Sequence, residues 1–125
     1  MKRIIKTSAA PTAIGPYSQA IKAGNTVYLS GQVGLDPATM NLISEDFAAQ
    51  AEQVFKNIQA VTITAGATLN DIVKLTVYLT DLNNFAKLNE VMAKYLPEPY
   101  PARTTIEVPA LPKNASIEID AIIYI

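Results

Sequence analysis

The sequence predicts a mixed domain of the α+β or α/β class, and three observations lead to this prediction. The chain has 125 residues, a length that suits one domain with a sizeable core. Segments with the period-two alternation of strands alternate with segments that have the three- and four-residue apolar spacing of helices. No internal repeat, low-complexity tract or long linker divides the chain, so we expect residues 1–125 to form a single domain.

The N-terminal segments predict strands joined by loops. Residues 3–7, RIIKT, predict a short edge strand, and residues 10–25, with two prolines and two glycines, predict an ordered loop. Residues 26–35, TVYLSGQVGL, predict a strand. Gly31 and Gly34 within it indicate a β-bulge or a close approach of the backbone to another element.

A turn and the clearest helix follow. Residues 36–41, DPATMN, predict a turn, and Leu42–Ile43 predict a short strand that completes a hairpin. Residues 46–65 predict a helix, because apolar residues recur there at steps of three and four. Gly66 stands where a glycine commonly ends a helix.

The second half predicts strand, helix, strand and strand. Residues 71–80, DIVKLTVYLT, alternate between apolar and polar side chains, as expected for a strand with one buried face. A second helix is predicted over residues 83–96, with Pro97 just past its end. Residues 102–109 and 116–125 predict two further strands.

Two helices can cover only one face of such a sheet. If alternation holds, the other face carries Tyr28, Lys74, Thr76, Tyr78, Arg103, Thr105, Glu107, Glu118, Asp120, Ile122 and Tyr124. A face that mixes charges with large apolar side chains this broadly is not expected to stay solvated in a monomer. We therefore predict that it packs against copies of the same chain.

The composition excludes several function classes. Histidine and cysteine are both absent, which removes the commonest general base, thiolate chemistry and the usual zinc ligands. The net charge is −1 without a basic stripe, so no nucleic-acid partner is expected. No apolar run reaches the length of a membrane span or a signal peptide. We expect a soluble, cytoplasmic domain.

Arg103 and Glu118 are the leading candidates for chemistry. Arg103 could capture a carboxylate or phosphate with its planar guanidinium, or it could be a rim charge paired with Glu107. Glu118 could orient a water molecule, or it could share a solvated face with Asp120. If the last two strands form an antiparallel pair, Arg103 and Glu118 could both border one pocket, either within one subunit or between two.

Four other residues have weaker individual support. Tyr17, on a Gly-Pro loop, could stack on a planar ligand or could anchor the loop to the core. Ser30 and Gly31 could offer backbone groups to a ligand, or could form a β-bulge. Asn89, on the second helix, suggests local hydrogen bonding.

Taken together, the segments AIGPYSQA, VYLSGQVGLDP, DIVKLTVYLTDLNNFAKLNEV and YPARTTIEVPALPKNASIEIDAI resemble the RidA (YjgF) family over nearly the whole chain. The resemblance implies a chorismate-mutase-like α+β fold and a homotrimer whose ligand clefts lie between neighbouring subunits. It also implies hydrolysis of small 2-imino acids and their enamine tautomers, produced by pyridoxal-phosphate enzymes, to 2-keto acids and ammonia. No cofactor or metal is implied.

The resemblance assigns catalytic roles to three positions of this sequence. The arginine that binds the substrate carboxylate falls on Arg103, and the glutamate that handles the attacking water falls on Glu118. The tyrosine that stacks on the substrate falls on Tyr17.

Four further positions match residues that line the family's binding site. A backbone contact falls on Gly31, beside Ser30, and the helix asparagine falls on Asn89. Thr105 stands where many family members have cysteine. If only the backbone N–H of Thr105 contacts the ligand, this departure should matter little, but any role of a thiol is lost.

Two other function classes stay open. A nuclease or translation inhibitor, a label that some relatives in this family carry, needs a phosphate-binding surface and an acid–base pair. The acidic balance and the missing histidines argue against it. A binding or chaperone-like protein would hold a small ligand in the same cleft without turnover, and a carboxylate clamp alone does not exclude it.

Overall fold

The computed structural model describes residues 1–125 as a six-stranded sheet with two α-helices. In chain order the elements are β1 (Lys2–Ile5), β2 (Ala20–Ala23), β3 (Thr26–Val33), α1 (Phe47–Thr64), β4 (Ile72–Leu79), α2 (Phe85–Tyr95), β5 (Ala102–Glu107) and β6 (Ile117–Tyr124). The strand order is β1-β2-β3-β6-β4-β5. Only β4 and β5 run parallel, and α2 is the crossover that a parallel pair requires.

Helix α1 confirms the predicted helix almost to the residue. Asp46 caps its start by accepting a hydrogen bond from the Ala49 N–H at 3.0 Å. Gly66 follows the helix with φ +85°, a conformation that glycine adopts at little cost. The predicted apolar stripe faces the sheet and is buried: Phe47, Ala51, Val54, Ile58, Val61 and Ala65.

The core lies between the helices and one face of the sheet. Ile117, Ile119 and Ile123 of β6 are fully buried there, as are Leu75 and Val77 of β4. The other face has no helical cover and leaves large side chains exposed: Tyr28, Ile106 and Tyr124. One covered and one uncovered face is the arrangement that the sequence predicted.

Gly31 within β3 and Gly34 just after it have separate structural roles. The register with β6 shifts between Leu29 and Gln32, which places the predicted bulge at Ser30 and Gly31. At Gly34 an added Cβ would lie 2.8 Å from the backbone oxygen of Gln50 in α1. Glycine there allows α1 to pack directly against the end of β3.

The interpretation of residues 10–25 as a loop was partly wrong. Ala20–Ala23 form β2, which pairs with β1 on one side and β3 on the other. Gly24, at φ +61°, lies in the tight connection to β3. A four-residue strand with a single buried residue offers too short an alternation for periodicity to reveal it.

The predicted side-chain orientation of β5 was also wrong. Arg103, Thr105 and Glu107 point toward the helix layer, whereas Thr104 and Ile106 lie on the uncovered face. This follows from the parallel register, which pairs the three residues with the buried Leu75, Val77 and Leu79 of β4. Strand β5 is an edge strand with few apolar side chains, so its own sequence does not set its orientation.

Strands β5 and β6 do not form the antiparallel pair on which the shared pocket depended. Strand β4 lies between them, parallel to β5 and antiparallel to β6. Connecting β5 to β6 as a hairpin was the simplest arrangement for consecutive strands. In the structure α2 instead connects β4 to a parallel β5, and this pairing places β4 between β5 and β6.

Two smaller expectations differ as well. Val73, predicted on the buried face of its strand, is 48% exposed, because the register with β6 is irregular between Ile72 and Lys74. Leu42 contributes one isolated bridge to Leu35 instead of a short strand.

Candidate active site

Five of the seven residues that the sequence singled out line two separate cavities. The first, of about 280 Å³, contains Tyr17, Gly31 and Glu118 and is called here the glutamate cavity. The second, of about 330 Å³, contains Asn89 and Arg103 and is called the arginine cavity. Each cavity holds one of the two charged candidates.

Glu118 lies in the glutamate cavity on the uncovered face of β6. Its side chain packs directly over Gly31, where an added Cβ would lie 2.8 Å from the Glu118 Cδ. Burial raises the pKa of Glu118, and the nearby Asp120 charge raises it further. A partly buried carboxylate with a raised pKa is a group that can take and return a proton.

The loop that carries Tyr17 to this cavity is fixed to β3 by hydrogen bonds. The Ser30 hydroxyl donates to the Ser18 carbonyl at 2.6 Å, and the Ser30 N–H donates to the Gln19 carbonyl at 3.0 Å. The Tyr17 hydroxyl accepts from the Ile14 N–H at 3.4 Å, and half of the tyrosine stays exposed. Ser30 therefore holds the tyrosine loop against β3, a positioning role that residue type alone did not reveal.

Sequence reasoning also missed Gln19, whose buried side chain holds this loop through hydrogen bonds to its backbone. Its buried side chain donates to the carbonyls of Thr7 and Pro11 at 3.0 and 2.8 Å and accepts from the Thr7 N–H at 2.7 Å. A glutamine amide can satisfy several backbone groups of a loop that has no strand partner. The only signal in the sequence was a polar residue within a proline-rich segment.

Lys113 lines the glutamate cavity and was missed as well. It has φ +60°, as does Asn114 after it. Two consecutive residues in this sparsely populated region cannot be inferred from composition.

Arg103 is held by α2 in the arginine cavity. Its Nη1 donates to the Asn89 Oδ1 at 2.7 Å and lies 3.2 Å from the Met92 sulfur. The guanidinium carbon lies 4.9 Å from the centre of the Phe85 ring, within cation–π range. Asn89 thus orients Arg103, and Phe85 and Met92 are contacts that the sequence did not suggest.

Arg103 has no carboxylate partner, which rules out the predicted pairing with Glu107. The only ion pair in the chain joins Lys94 and Glu52, and Glu107 instead accepts from the Leu82 N–H at 2.9 Å. A guanidinium held by neutral groups keeps donors free for an anion from outside the chain.

Thr105 lies on the same side of β5 as Arg103. Its hydroxyl is the one buried side-chain polar atom in the chain without a hydrogen-bond partner. Buried polar groups are almost always satisfied, so an unpaired one is a candidate ligand contact.

The two cavities are too far apart within one chain to share a small ligand. Arg103 pairs with Leu75 and Glu118 with Tyr78 on opposite sides of β4. Standard strand spacing then separates the Cα atoms of Arg103 and Glu118 by about 14 Å. Their side chains also point to opposite faces of the sheet. A single subunit does not bring the two charged candidates together.

Neither a metal cluster nor a membrane segment is visible in the structure. No three Asp or Glu side chains converge in a way that could hold a metal ion. Neither helix has the length and apolar character needed to cross a bilayer.

The sheet topology, with two helices on one face, and the two cavities define a small α+β domain with candidate ligand sites. The profile of the family described as Endoribonuclease L-PSP matches residues 7–125. A RutC family protein of Pyrococcus horikoshii is 52% identical over 99% of this chain and 98% of its own. A protein of Dermatophagoides farinae named 2-iminobutanoate/2-iminopropanoate deaminase is 45% identical over 99% of this chain and 97% of its own.

Solved structures show the same similarity. The crystal structure of RidA from an Antarctic Psychrobacter bacterium superposes with a TM-score of 0.96 and 58% identity, covering 98% of this chain and 99% of that one. The chain belongs to the Endoribonuclease L-PSP family, which is the YjgF/RidA family.

Proposed function

We propose that this protein is a 2-iminobutanoate/2-iminopropanoate deaminase that acts in the cytoplasm without a cofactor. It would hydrolyse small 2-imino acids, released by pyridoxal-phosphate enzymes, to 2-keto acids and ammonia. The observation that carries the proposal is Arg103, which Asn89 orients and no carboxylate neutralises. An arginine in this state is suited to the carboxylate of a small acid. Deaminase names among close relatives support the same reaction.

The proposed site lies between subunits of a homotrimer. Arg103 and Glu118 face opposite sides of one sheet, so a ligand that contacts both needs the arginine cavity of one subunit and the glutamate cavity of another. The uncovered face, with Tyr28 and Tyr124 more than half exposed, is the surface that such an assembly would bury.

In the proposed mechanism Arg103 binds the substrate carboxylate through two charge-assisted hydrogen bonds. The Thr105 and Gly31 backbones add contacts, and Tyr17 covers the planar imino group. Glu118 accepts a proton from water as the water oxygen bonds to C2. That proton passes to the substrate nitrogen as the C=N π bond opens, which gives a tetrahedral carbinolamine. Glu118 then carries the proton of the new C2 hydroxyl to the same nitrogen, so that the C–N bond breaks, the C2 carbonyl forms and ammonia leaves a 2-keto acid.

The required acceleration is modest. Imines hydrolyse readily in water, and one acid–base group typically contributes about 10²–10⁴-fold. Holding the carboxylate fixes C2 relative to Glu118, which adds a contribution from orientation.

Arg103→Ala tests the proposal in an assay where a threonine dehydratase generates 2-iminobutanoate. We expect wild-type protein to accelerate ammonia release and the variant to lose most of this activity. Arg3→Ala is the matched control, because Arg3 is an exposed arginine on β1, outside both cavities. Full activity of folded, trimeric Arg103→Ala would refute the carboxylate-binding role. Tight binding of a 2-keto acid without ammonia release would instead favour a non-catalytic binding protein.

The family description favours ribonuclease activity as a second candidate. The chain has no histidine and a net charge of −1, which suits neither acid–base cleavage of RNA nor binding to its phosphates. Labelled RNA incubated at low salt with deaminase-active protein separates the two candidates. We expect the RNA to stay intact.

A further inference from the structure

Next to Glu118, the uncovered face carries a hydrogen-bonded pair that the proposed mechanism does not use. The Tyr78 hydroxyl donates to the Asp120 Oδ2 at 3.0 Å. Tyr78 is the direct cross-strand neighbour of Glu118 on β4. Asp120 follows Glu118 by two residues on β6, so its side chain lies on the same face. The three side chains form one cluster, called here the Tyr78 cluster.

We propose that the Tyr78–Asp120 pair is a positioning device that fixes a negative charge beside Glu118 and thereby controls how readily Glu118 takes up and releases its proton. This inference rests on the proposed deaminase function, in which Glu118 moves a proton between water and the leaving nitrogen. Neither Tyr78 nor Asp120 needs to touch the substrate.

Asp120 is the one charged side chain of the subunit that shifts the pKa of Glu118. Strand β3 contributes the Gly31 backbone, which carries no charge. The loops around the cavity contribute Tyr17 and Lys113, but Lys113 forms no ion pair with Glu118. The β4 side presents the neutral Tyr78 hydroxyl. A charge effect on Glu118 from within the subunit therefore comes mainly from Asp120.

The directions of the pKa shifts of Glu118 and Tyr78 agree with the geometry of the Tyr78 cluster. Burial raises the pKa of Glu118, and the Asp120 charge is the second cause. Burial, the hydrogen bond to Asp120 and the charges of Asp120 and Glu118 together raise the pKa of Tyr78. Tyr78 is therefore protonated throughout the neutral range and remains a donor to Asp120.

The hydroxyl of Tyr78 is needed for this positioning role, and phenylalanine at position 78 would lack it. With its hydroxyl bound, Asp120 is held against β4 in one orientation. Without the hydroxyl the carboxylate could rotate toward other partners, and its distance from Glu118 would vary. The charge would remain, but its effect on Glu118 would no longer be fixed.

The test is a titration of the Glu118 side-chain carboxyl by ¹³C NMR in the assembled protein, alongside the pH profile of deaminase kcat. In Asp120→Asn we expect the Glu118 midpoint and the acid limb of kcat both to move to lower pH, because a negative neighbour is lost. Asp46→Asn is the matched control, since Asp46 caps α1 and asparagine caps equally well. We expect it to leave both quantities unchanged.

Tyr78→Phe tests the positioning half of the proposal. We expect it to lower kcat more than it changes KM, and to have no further effect in the Asp120→Asn background. Additive effects of the two substitutions would overturn the positioning role. If Asp120→Asn does not fold, Asp120→Ala replaces it.

An unchanged Glu118 midpoint in a folded Asp120 variant would overturn the inference, whatever the activity. A shifted midpoint in a protein that hydrolyses no imino acid would leave the charge coupling standing and refute the deaminase function. The NMR readout therefore distinguishes failure of the inference from failure of the proposed function.

Discussion

Gly31→Ala should impair the site while leaving the domain folded. The added Cβ would lie 2.8 Å from the Glu118 Cδ and 3.1 Å from its Cγ, whereas ordinary contact begins near 3.4 Å. The obstructing atoms belong to a flexible side chain, and Gly31 has no positive φ that would strain alanine. Glu118 can therefore yield without disturbing the backbone, and the substitution mainly displaces its carboxylate.

The expected loss of kcat follows from how far the Glu118 carboxylate is displaced. To restore ordinary contact the Cδ must move by at least about 0.6 Å, and the carboxylate oxygen Oε2, which lies nearer still, by about 1 Å. A misplacement of about 1 Å can cost about 10²-fold in rate. We expect kcat for 2-iminobutanoate hydrolysis to fall by about that factor, with a smaller change in KM, because Arg103 binds the carboxylate from a different cavity.

The assay uses dehydratase-generated 2-iminobutanoate and measures 2-ketobutanoate formation. Gly24→Ala is the control, since nothing lies within 4 Å of its added Cβ. It should lose some stability from its φ of +61° but retain activity. Wild-type kcat in folded Gly31→Ala would refute the claim that the Glu118 carboxylate acts from its position over Gly31.

Three further outcomes are expected. Arg103→Lys keeps the charge but loses the planar pair of donors and the contact with Asn89, so kcat/KM should fall about 10–100-fold in the same assay. The pKa of Glu118 is raised in the folded protein. The free energy of unfolding therefore falls as pH rises from the ordinary pKa of a glutamate to the raised pKa of Glu118. Glu118→Gln should therefore melt at a higher temperature than wild type at pH 7, and the gain should vanish in acid. Gly34→Ala would force its Cβ to 2.8 Å from the Gln50 backbone oxygen, and denaturant unfolding should show a loss of about 1–3 kcal/mol.

The helices and central strands could be predicted from sequence because each carries a long apolar pattern. Helix α1 has a complete buried stripe, and Gly66 after it is the end signal that the sequence showed. Strand β6 alternates over its eight residues, and β4 alternates from Lys74 to its end at Leu79. Strand β2 was missed because four residues do not establish a period.

The sequence predicted which residues are candidates for the site, but it did not predict how they are arranged. Arg103 and Glu118 were both chosen, yet the orientation predicted for β5 put them on one face. The hydrogen bonds of Ser30 and Gln19 that hold the Tyr17 loop join residues distant in sequence. No local pattern encodes such contacts, because each depends on how strands from different parts of the chain pair.

The sequence by itself determined the two helices and the longer strands, the burial of one sheet face and the residue types available for chemistry. These follow from local periodicity and composition, which need no knowledge of neighbouring strands. Only the tertiary structure decided that β4 separates β5 from β6, and hence that Arg103 and Glu118 lie in different cavities. Strand order and register arise from long-range pairing, and a weakly apolar edge strand such as β5 takes its orientation from its partner.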